Sequence, residues 1–227
     1  MKKILIFIFF VISTVTLSGQ SNLIGIKGGI NWTDVSYNSG MKGDVGYVTN
    51  SVACISSGLT YDYIDNGNFI WGVELLYEQR RYTGIANIIS PVYPPPSPIY
   101  LSDHYVYYAI PLKVGYILGE TFFGFGNIGI APAFLKSAID EHTTTDSIGN
   151  KTSTDYNLKN SNSNFELSGL IEIGCGYKLL KNFEIITSFR LQDSFTSTNK
   201  YGSHHWTERD LCFGIKYILP TKAKASN

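Results

Sequence analysis

Acidic and basic side chains alternate with apolar ones along several segments of this sequence, and they are the residues that could do chemistry. In residues 68–83, Glu74, Glu78 and Arg80 share one face of an extended chain with Gly72, because successive side chains of a strand point to opposite faces. Charges that face an interior must find partners. They could form a paired network or line a charged conduction path, and we favour the network because a small barrel leaves no open channel.

The same alternation assigns charged residues of other segments to the same interior. The full set is Lys27, Asp62, Glu74, Glu78, Arg80, Lys113, Glu166, Glu172, Lys178, Glu184, Arg190, Glu208, Asp210 and Lys216. We expect the centre of the network at Lys27, Glu74, Glu78, Arg80, Lys113, Glu172, Arg190, Asp210 and Lys216. Because acids and bases are both well represented, most of these charges can be paired.

Histidines could add acid, base or metal chemistry near neutral pH. Asp103-His104 and His204-His205 with Glu208 are the candidates for an active site, but their spacing matches no distinctive motif. Neighbouring side chains of a strand point apart, so an adjacent histidine pair does not easily bind one metal ion. We therefore expect no enzyme, no metal site and no cofactor.

The three cysteines also lack the spacing of a metal site. They are Cys54, Cys175 and Cys212. In an exported protein an odd number of cysteines means one free thiol or three. We favour three free thiols because each cysteine falls within a predicted strand.

Eight segments with period-two alternation must position these residues. They are residues 22–33, 51–64, 68–83, 103–118, 121–135, 164–178, 183–195 and 206–219. The connections at 65–67, 119–120 and 179–182 are short turns, whereas 34–50, 84–102, 136–163 and 196–205 are long and polar or rich in proline. Short turns at one rim and long loops at the other are typical of bacterial outer-membrane barrels. In residues 121–135 the glycines hide which face points inward.

Aromatic side chains indicate that the apolar face points outward. In that orientation Tyr61, Tyr63, Phe69, Trp71, Tyr116, Tyr177, Phe183 and Tyr217 lie near the short-turn ends of their strands, as an interfacial girdle requires. Trp32, Phe165 and Phe195 lie near the opposite ends. A soluble barrel of eight strands has little room for so many rings inside. The sequence therefore predicts an all-β, eight-stranded, antiparallel up-and-down transmembrane barrel with short periplasmic turns and long extracellular loops.

Residues 1–19 have the pattern of a signal peptide, with Lys2 and Lys3 followed by an apolar run and then by small residues. Residues 20–227 would form the barrel domain. The formal net charge is zero, and loss of the two lysines lowers it to about minus two, so nucleic acid is not an expected partner. We expect a monomer in the outer membrane, surrounded by lipid and lipopolysaccharide.

Binding residues tend to lie on loops that a rigid scaffold supports. The proline-rich loop 84–102 could present Tyr93, Pro95 and Tyr100 to an envelope or extracellular protein, or its prolines could simply stiffen it. The loop 136–163 is polar, and mobility is the default expectation for it. These loops favour a structural or interaction role.

Several short motifs resemble the PorT-like outer-membrane β-barrel proteins of Bacteroidetes. They are Ile24-Gly25-Ile26-Lys27-Gly28-Gly29-Ile30-Asn31, Glu74-Leu75-Leu76-Tyr77-Glu78-Gln79-Arg80, Ile110-Pro111-Leu112-Lys113, glycine-rich 123–133 and Phe213-Gly214-Ile215-Lys216-Tyr217. The resemblance implies an outer-membrane barrel more firmly than it implies a task. Some members of that family resemble parts of the type IX secretion machinery. A secretion accessory and a narrow pore are therefore alternatives to the structural or interaction role.

Overall fold

The computed structural model describes residues 21–37, 45–66, 68–88, 99–145, 150–197 and 204–220. No helix in these ranges is long and apolar enough to cross a membrane. The strands are β1 (Ser21–Tyr37), β2 (Val45–Ile64), β3 (Phe69–Ile88), β4 (Ile99–Ala109), β5 (Leu112–Gly119), β6 (Phe122–Thr145), β7 (Lys151–Asn157), β8 (Phe165–Leu180), β9 (Phe183–Ser194) and β10 (His204–Leu219). The predicted signal peptide lies outside the described residues and stays a prediction.

The strands close into a ring in which every pairing is antiparallel. Its order is β1, β2, β3, then β4 with β5, then β6, β8, β9 and β10, which pairs with β1 again. β4 and β5 are two halves of one barrel strand, because both pair with β3 on one side and with β6 on the other. β7 pairs with β6. The predicted all-β antiparallel barrel is confirmed, with eight crossings in the ring and β7 added outside it.

A proline explains why one crossing is split. Pro111 has no backbone N–H and therefore cannot donate to a β-ladder. The chain still follows its neighbours on both sides of this residue: the Ile110 N–H donates to the Pro132 carbonyl at 2.8 Å, and the Glu74 N–H donates to the Pro111 carbonyl at 3.0 Å. The break is thus local, and β4 and β5 cross together.

Short turns hold one rim of the barrel. Asp65 accepts the Phe69 N–H on its side chain at 2.9 Å, and Asn68 has a φ of 64°. Gly119 has a φ of 102° between β5 and β6. Asn and Gly are the residues that tolerate this left-handed region. Both turns place adjacent strands in fixed register at the same rim.

The strands run further toward the opposite rim than the sequence pattern predicts. Parts of the four predicted long loops continue as strand, and within 136–163 β6 reaches Thr145 and pairs with β7. The prediction that 136–163 is a loop was wrong for 136–145 and 151–157. Cross-strand pairing explains the difference, since the β-branched threonines of these residues are common in strands.

The extensions form a projecting sheet on one side of the barrel. We define it as residues 45–52 of β2, 79–88 of β3, 99–106 of β4, 137–145 of β6 and all of β7. On the other side, β9 ends at Ser194 and β8 begins at Phe165, so this side does not project. The two sides of the barrel therefore differ in height.

Two glycines in neighbouring strands provide a test of how closely the wall is packed. A Cβ at Gly58 would collide with the backbone carbonyl of Leu75, whereas a Cβ at Gly28 would point outward with its nearest atom, the Ser56 carbonyl oxygen, at 3.5 Å. We expect Gly58→Ala to destabilise the barrel by about 1 to 3 kcal/mol, as overpacking does, and Gly28→Ala to be tolerated. The measurement is the fraction of compact protein on an unboiled detergent gel along a urea series. Equal folded fractions for the two variants would contradict this packing.

Candidate functional site

The outer surface of the barrel carries a continuous apolar belt. Ile26, Ile128 and Phe213, on three different strands, are each 61% exposed. Soluble proteins rarely expose apolar patches above a few hundred Å², so a surface of this kind needs lipid as its solvent. In a closed barrel every backbone group of the wall can pair within the sheet, which a lipid environment requires. The fold and this surface define a transmembrane β-barrel.

Aromatic side chains bound the apolar belt at both edges, with a fuller set at the short-turn rim and four on neighbouring strands at the other edge. Near the short-turn rim the structure places Tyr61, Tyr63, Phe69, Trp71, Tyr116, Tyr177, Phe183 and Tyr217. Within this ring the Phe69 and Tyr116 centroids lie 5.3 Å apart, and those of Phe183 and Tyr217 lie 5.0 Å apart. Aromatic rings at both edges of the apolar belt match the two interfaces of a bilayer.

The second ring, which we call the outer aromatic ring, consists of Tyr77, Tyr108, Phe134 and Phe165. The centroids of Tyr77 and Tyr108 are 6.1 Å apart, and those of Phe134 and Phe165 are 5.5 Å apart. Of the aromatics predicted for this end, Phe165 belongs to the ring and Phe195 is 63% exposed. The projecting sheet begins beyond this ring.

Inside the barrel, two carboxylates collect cations from several strands. Glu74 pairs with Lys27 at 3.2 Å, with Lys113 at 2.6 Å and with Arg190. Glu172 pairs with Lys113 at 3.0 Å and with Lys27, and lies 3.8 Å from Arg190. All five side chains are at most 2% exposed. The cluster thus ties β1, β3, β5, β8 and β9 together across the lumen.

A second cluster surrounds Arg80, at the base of the projecting sheet. Its guanidinium pairs with Glu78 at 3.1 Å, with Glu166 at 2.8 Å and with Glu208 at 2.9 Å, and it lies 4.5 Å from the Tyr107 ring centre. Three acids thus share one base. Asn31 and Ser168 add hydrogen bonds to Glu208 and Glu166 at 2.6 Å and 3.0 Å.

Apolar side chains close the lumen on both sides of the charged clusters. Toward the short-turn rim, Ile70, Ile117, Phe123 and Ile186 form one buried group. At the base of the projecting sheet, Tyr82, Tyr105 and Trp206 pack on the inward side with centroid distances of 5.1 to 6.4 Å. A cavity beside Lys216 has a volume of about 10 Å³, room for one water molecule at most.

Not every residue assigned to the interior lies in these clusters. Lys216 pairs with Asp62 at 2.6 Å, below the Glu74 cluster. Asp210 is buried and stands opposite Arg190 in the strand register, but it has no ion pair within 4.0 Å among the described residues. Lys178 is exposed, because its strand ends there in an irregular pairing at the open rim. It stands opposite the buried Glu184 in the strand register, so it shares the inward face but lies at the mouth of the lumen.

The structure describes only one of the three residues that were predicted to present a binding surface on the proline-rich loop. Tyr93 and Pro95 lie outside the described residues. Tyr100 is the second residue of β4, pairs with Thr143 and is 46% exposed. It therefore belongs to a strand of the projecting sheet rather than to a loop.

The candidates for catalysis do not converge. Asp103 is buried in the lumen beside Tyr82 and Tyr105, which both donate hydrogen bonds to it, whereas His104 points to the outer face. Glu208 is held by Arg80, while His205 contacts the Ser194 carbonyl at 3.2 Å. Cys54, Cys175 and Cys212 are free. Within the described ranges, no group of three metal-ligating side chains is placed to hold an ion.

Sequence reasoning missed one polar pair at the mouth of the lumen. His142 lies in β6, where its Nε2 is 2.5 Å from Asp140 and its ring centre is 4.8 Å from that of Tyr156. Asp140 stands opposite Asp103 in the strand register. The i, i+2 spacing of Asp140 and His142 was the available signal, since both point to one face once the segment is a strand.

No family model and no curated protein sequence matches the chain. Among solved structures, the fold is similar to Ail of Yersinia pestis (15% identity, TM-score 0.41, 88% of this chain and 100% of that chain). It is also similar to OprG of Pseudomonas aeruginosa (13%, 0.44, 89% and 98%) and to the outer membrane protease OmpT of Escherichia coli (12%, 0.44, 91% and 100%). The function is therefore inferred from this chain's own residues, and the PorT-like resemblance stays a prediction.

The Glu74 cluster predicts a large loss of stability when its centre is removed. Glu74→Ala leaves three buried cations short of a partner, and breaking a buried ion pair in this way costs about 3 kcal/mol or more. Asp34→Ala is the matched control, since it removes a half-exposed carboxylate that pairs with Arg209 at 3.0 Å. Such surface pairs contribute about 0 to 1 kcal/mol. Urea titration of the compact gel band would measure both, and similar midpoints would contradict a stabilising role for the cluster.

Proposed function

We propose that this chain is a monomeric outer-membrane protein that conducts no solutes and acts as a structural or interaction protein through its projecting sheet. The observation that carries the proposal is the lumen, which ion pairs fill from wall to wall. The predicted signal peptide and the apolar belt support the outer-membrane location. In this orientation the short-turn rim faces the periplasm and the projecting sheet faces outward.

The filled lumen argues against the alternative of a narrow pore. Lys27, Glu172 and Arg190 meet from different strands, so no open path passes between them. The apolar layers at both ends would add a barrier to ions, because an unpaired charge is costly in apolar surroundings. A hollow of about 940 Å³ is lined mainly by outward-facing residues such as Ile26, Leu59 and Phe213, with the wall at Lys27 and Ile186 between them, so it lies against the outer surface of the wall rather than along the lumen.

The projecting sheet provides the surface for an interaction. All of β7 is exposed, and its Tyr156 side chain is 48% exposed. Tyr100 lies on the outer face of the same sheet. Exposed aromatic side chains on a rigid sheet are favourable anchors for a protein partner, since they bury large areas at a small entropic cost.

A planar bilayer experiment separates the closed barrel from the pore. We expect purified, folded protein to give no discrete conductance steps, because the Glu74 and Arg80 clusters block the lumen. A pore would instead show steps that change when Glu74 or Arg80 is replaced. Discrete steps in the wild type that disappear in Glu74→Gln would overturn the closed-lumen proposal.

Fractionation tests the location. We expect the protein in outer-membrane fractions, as a compact band that shifts on a detergent gel only after boiling. A barrel held by a closed hydrogen-bonded wall resists detergent at room temperature, which is the physical reason for the shift. Protein recovered from the soluble periplasm would overturn both the location and the outward apolar face.

The PorT-like resemblance adds a finer candidate, an accessory of a type IX secretion apparatus. This role requires a protein partner in the envelope and loss of cargo export when the gene is deleted. Cross-linking through a photoreactive residue placed at Tyr100, with Tyr61 in the lipid-facing ring as the control position, would test for the partner. A partner captured equally at both positions would not support the projecting sheet as its binding surface.

A further inference from the structure

Two cationic side chains and a histidine point outward just beyond the outer aromatic ring. Arg81 on β3 stands opposite His104 on β4, and Lys136 lies at a bulge of β6. The Lys136 ammonium is 5.6 Å from the Tyr77 ring centre and 5.4 Å from that of Tyr108. This cation therefore lies over the membrane-facing aromatics at the height where lipid head groups begin.

The charges of this face lack acidic partners. Among the described residues, no carboxylate lies within 4.0 Å of the Arg81 guanidinium or the Lys136 ammonium. Arg81 instead donates to the Ser102 hydroxyl at 3.0 Å and 2.8 Å. Arg209, an outward arginine on β10, differs because it pairs with Asp34 at 3.0 Å. An anion near Arg81 and Lys136 would have no protein carboxylate to displace.

A shallow depression of about 310 Å³ lies next to Arg81 on the outer face of the projecting sheet. Besides Arg81 it is lined by Thr83, Tyr100, Ser102, Glu141 and Thr143. Hydroxyl groups, one carboxylate and one aromatic ring supply the hydrogen bonds and the stacking surface that a sugar needs. The depression lies further from the outer aromatic ring than Lys136 does, since its residues follow later in β3 and β6 and earlier in β4.

We propose that this face binds a phosphorylated glycolipid of the outer leaflet, of the lipopolysaccharide type. Arg81, His104 and Lys136 would hold its phosphate, and the depression its first sugars. The order of features away from the membrane matches the order of groups in such a lipid: acyl chains along the apolar belt, phosphate at the basic side chains, sugars in the depression. This inference rests on the proposed outer-membrane location.

A phospholipid fits this face less well. An anionic phospholipid offers a phosphate to the basic side chains but no sugar ring to the depression. A phosphate ion offers no acyl chain to Tyr77 and Tyr108. Only a lipid with both a phosphate and sugars uses the whole face.

The test compares Arg81→Ala/Lys136→Ala with Arg209→Ala in full-length protein refolded in detergent. Binding of fluorescently labelled, bisphosphorylated rough lipopolysaccharide is followed by anisotropy. Dephosphorylated lipopolysaccharide, phosphatidylglycerol and inorganic phosphate serve as competitors. Hydrogen bonds to a charged group contribute enough for an affinity loss of about tenfold or more in the double variant, whereas Arg209→Ala should stay within about twofold. The dephosphorylated glycolipid, phosphatidylglycerol and inorganic phosphate should all compete at least about tenfold more weakly.

Several results would overturn the inference. One is an equal loss in Arg209→Ala, which would mean nonspecific attraction to charge. Another is equally strong competition by phosphatidylglycerol or by inorganic phosphate, which would leave no role for the depression. Thr83→Val/Thr143→Val, which keeps all charges, provides a second variant, and unchanged affinity in it would also exclude the sugar site.

The gel shift on boiling verifies that each variant folds. If the wild type is found in the outer membrane but does not bind the glycolipid, only this inference fails. If the wild type is absent from the outer membrane, the proposed function fails as well. The two failures are therefore distinguishable.

Discussion

At mid-height the interior of this barrel is held together by two carboxylates, between the apolar layers that close the lumen at either end. Because the apolar side chains face outward, the lumen has to be stabilised by whatever the inward faces offer, and at mid-height these faces carry charges. Glu74 and Glu172 each receive cations from strands on different sides of the ring, so the clusters fix the distance across the barrel as well as along it. If one partner were missing, a charge would remain in surroundings that solvate it poorly. The stability of each cluster therefore depends on all of its members. The same pairing that stabilises the wall also closes the lumen.

Much of this architecture follows from period-two patterning, because a strand with lipid on one side and polar partners on the other has two chemically distinct faces. The eight crossings, the short turns at one rim and the ring of aromatics near it were all predictable in this way. The inward face of the fifth segment, residues 121–135, was not predictable, because part of it carries large apolar residues on the inward face and glycines on the outward one. Phe123 and Phe125 point into the lumen, while Gly124 and Gly126 face lipid. Phe123 is only 2% exposed and belongs to the apolar layer that closes the rim. Whether a phenylalanine points inward depends on the space between neighbouring strands. The sequence of one strand alone does not show that space.

The alternation of apolar and polar residues also did not predict where the strands end. Beyond the buried layer of Tyr82, Tyr105 and Trp206 the strands carry mostly polar side chains, and β7 is exposed at every position, so apolar and polar residues no longer alternate and the sequence resembles a loop. Pairing with a neighbour is what keeps residues 137–145 extended, and such pairing depends on the partner strand β7. The same holds for the basic face, since Arg81, His104 and Lys136 come from three strands and become neighbours only through the register. Ion pairs across the lumen were expected as a class, but which acid meets which base is a matter of three-dimensional position.

The unequal height of the two sides makes the protein directional within the plane of the membrane. From Tyr77 to Ile88, β3 continues for roughly 35 Å of strand at about 3.3 Å per residue, while β8 and β9 end near the level of the outer aromatic ring. A neighbouring molecule that diffuses in the bilayer would meet the projecting sheet if it approached from one side, and the lower rim at β8 and β9 if it approached from the opposite side. In a crowded membrane, rotation about the barrel axis therefore decides which contacts can form. Orientation, and not only proximity, would govern how these proteins and their lipids arrange themselves into patches.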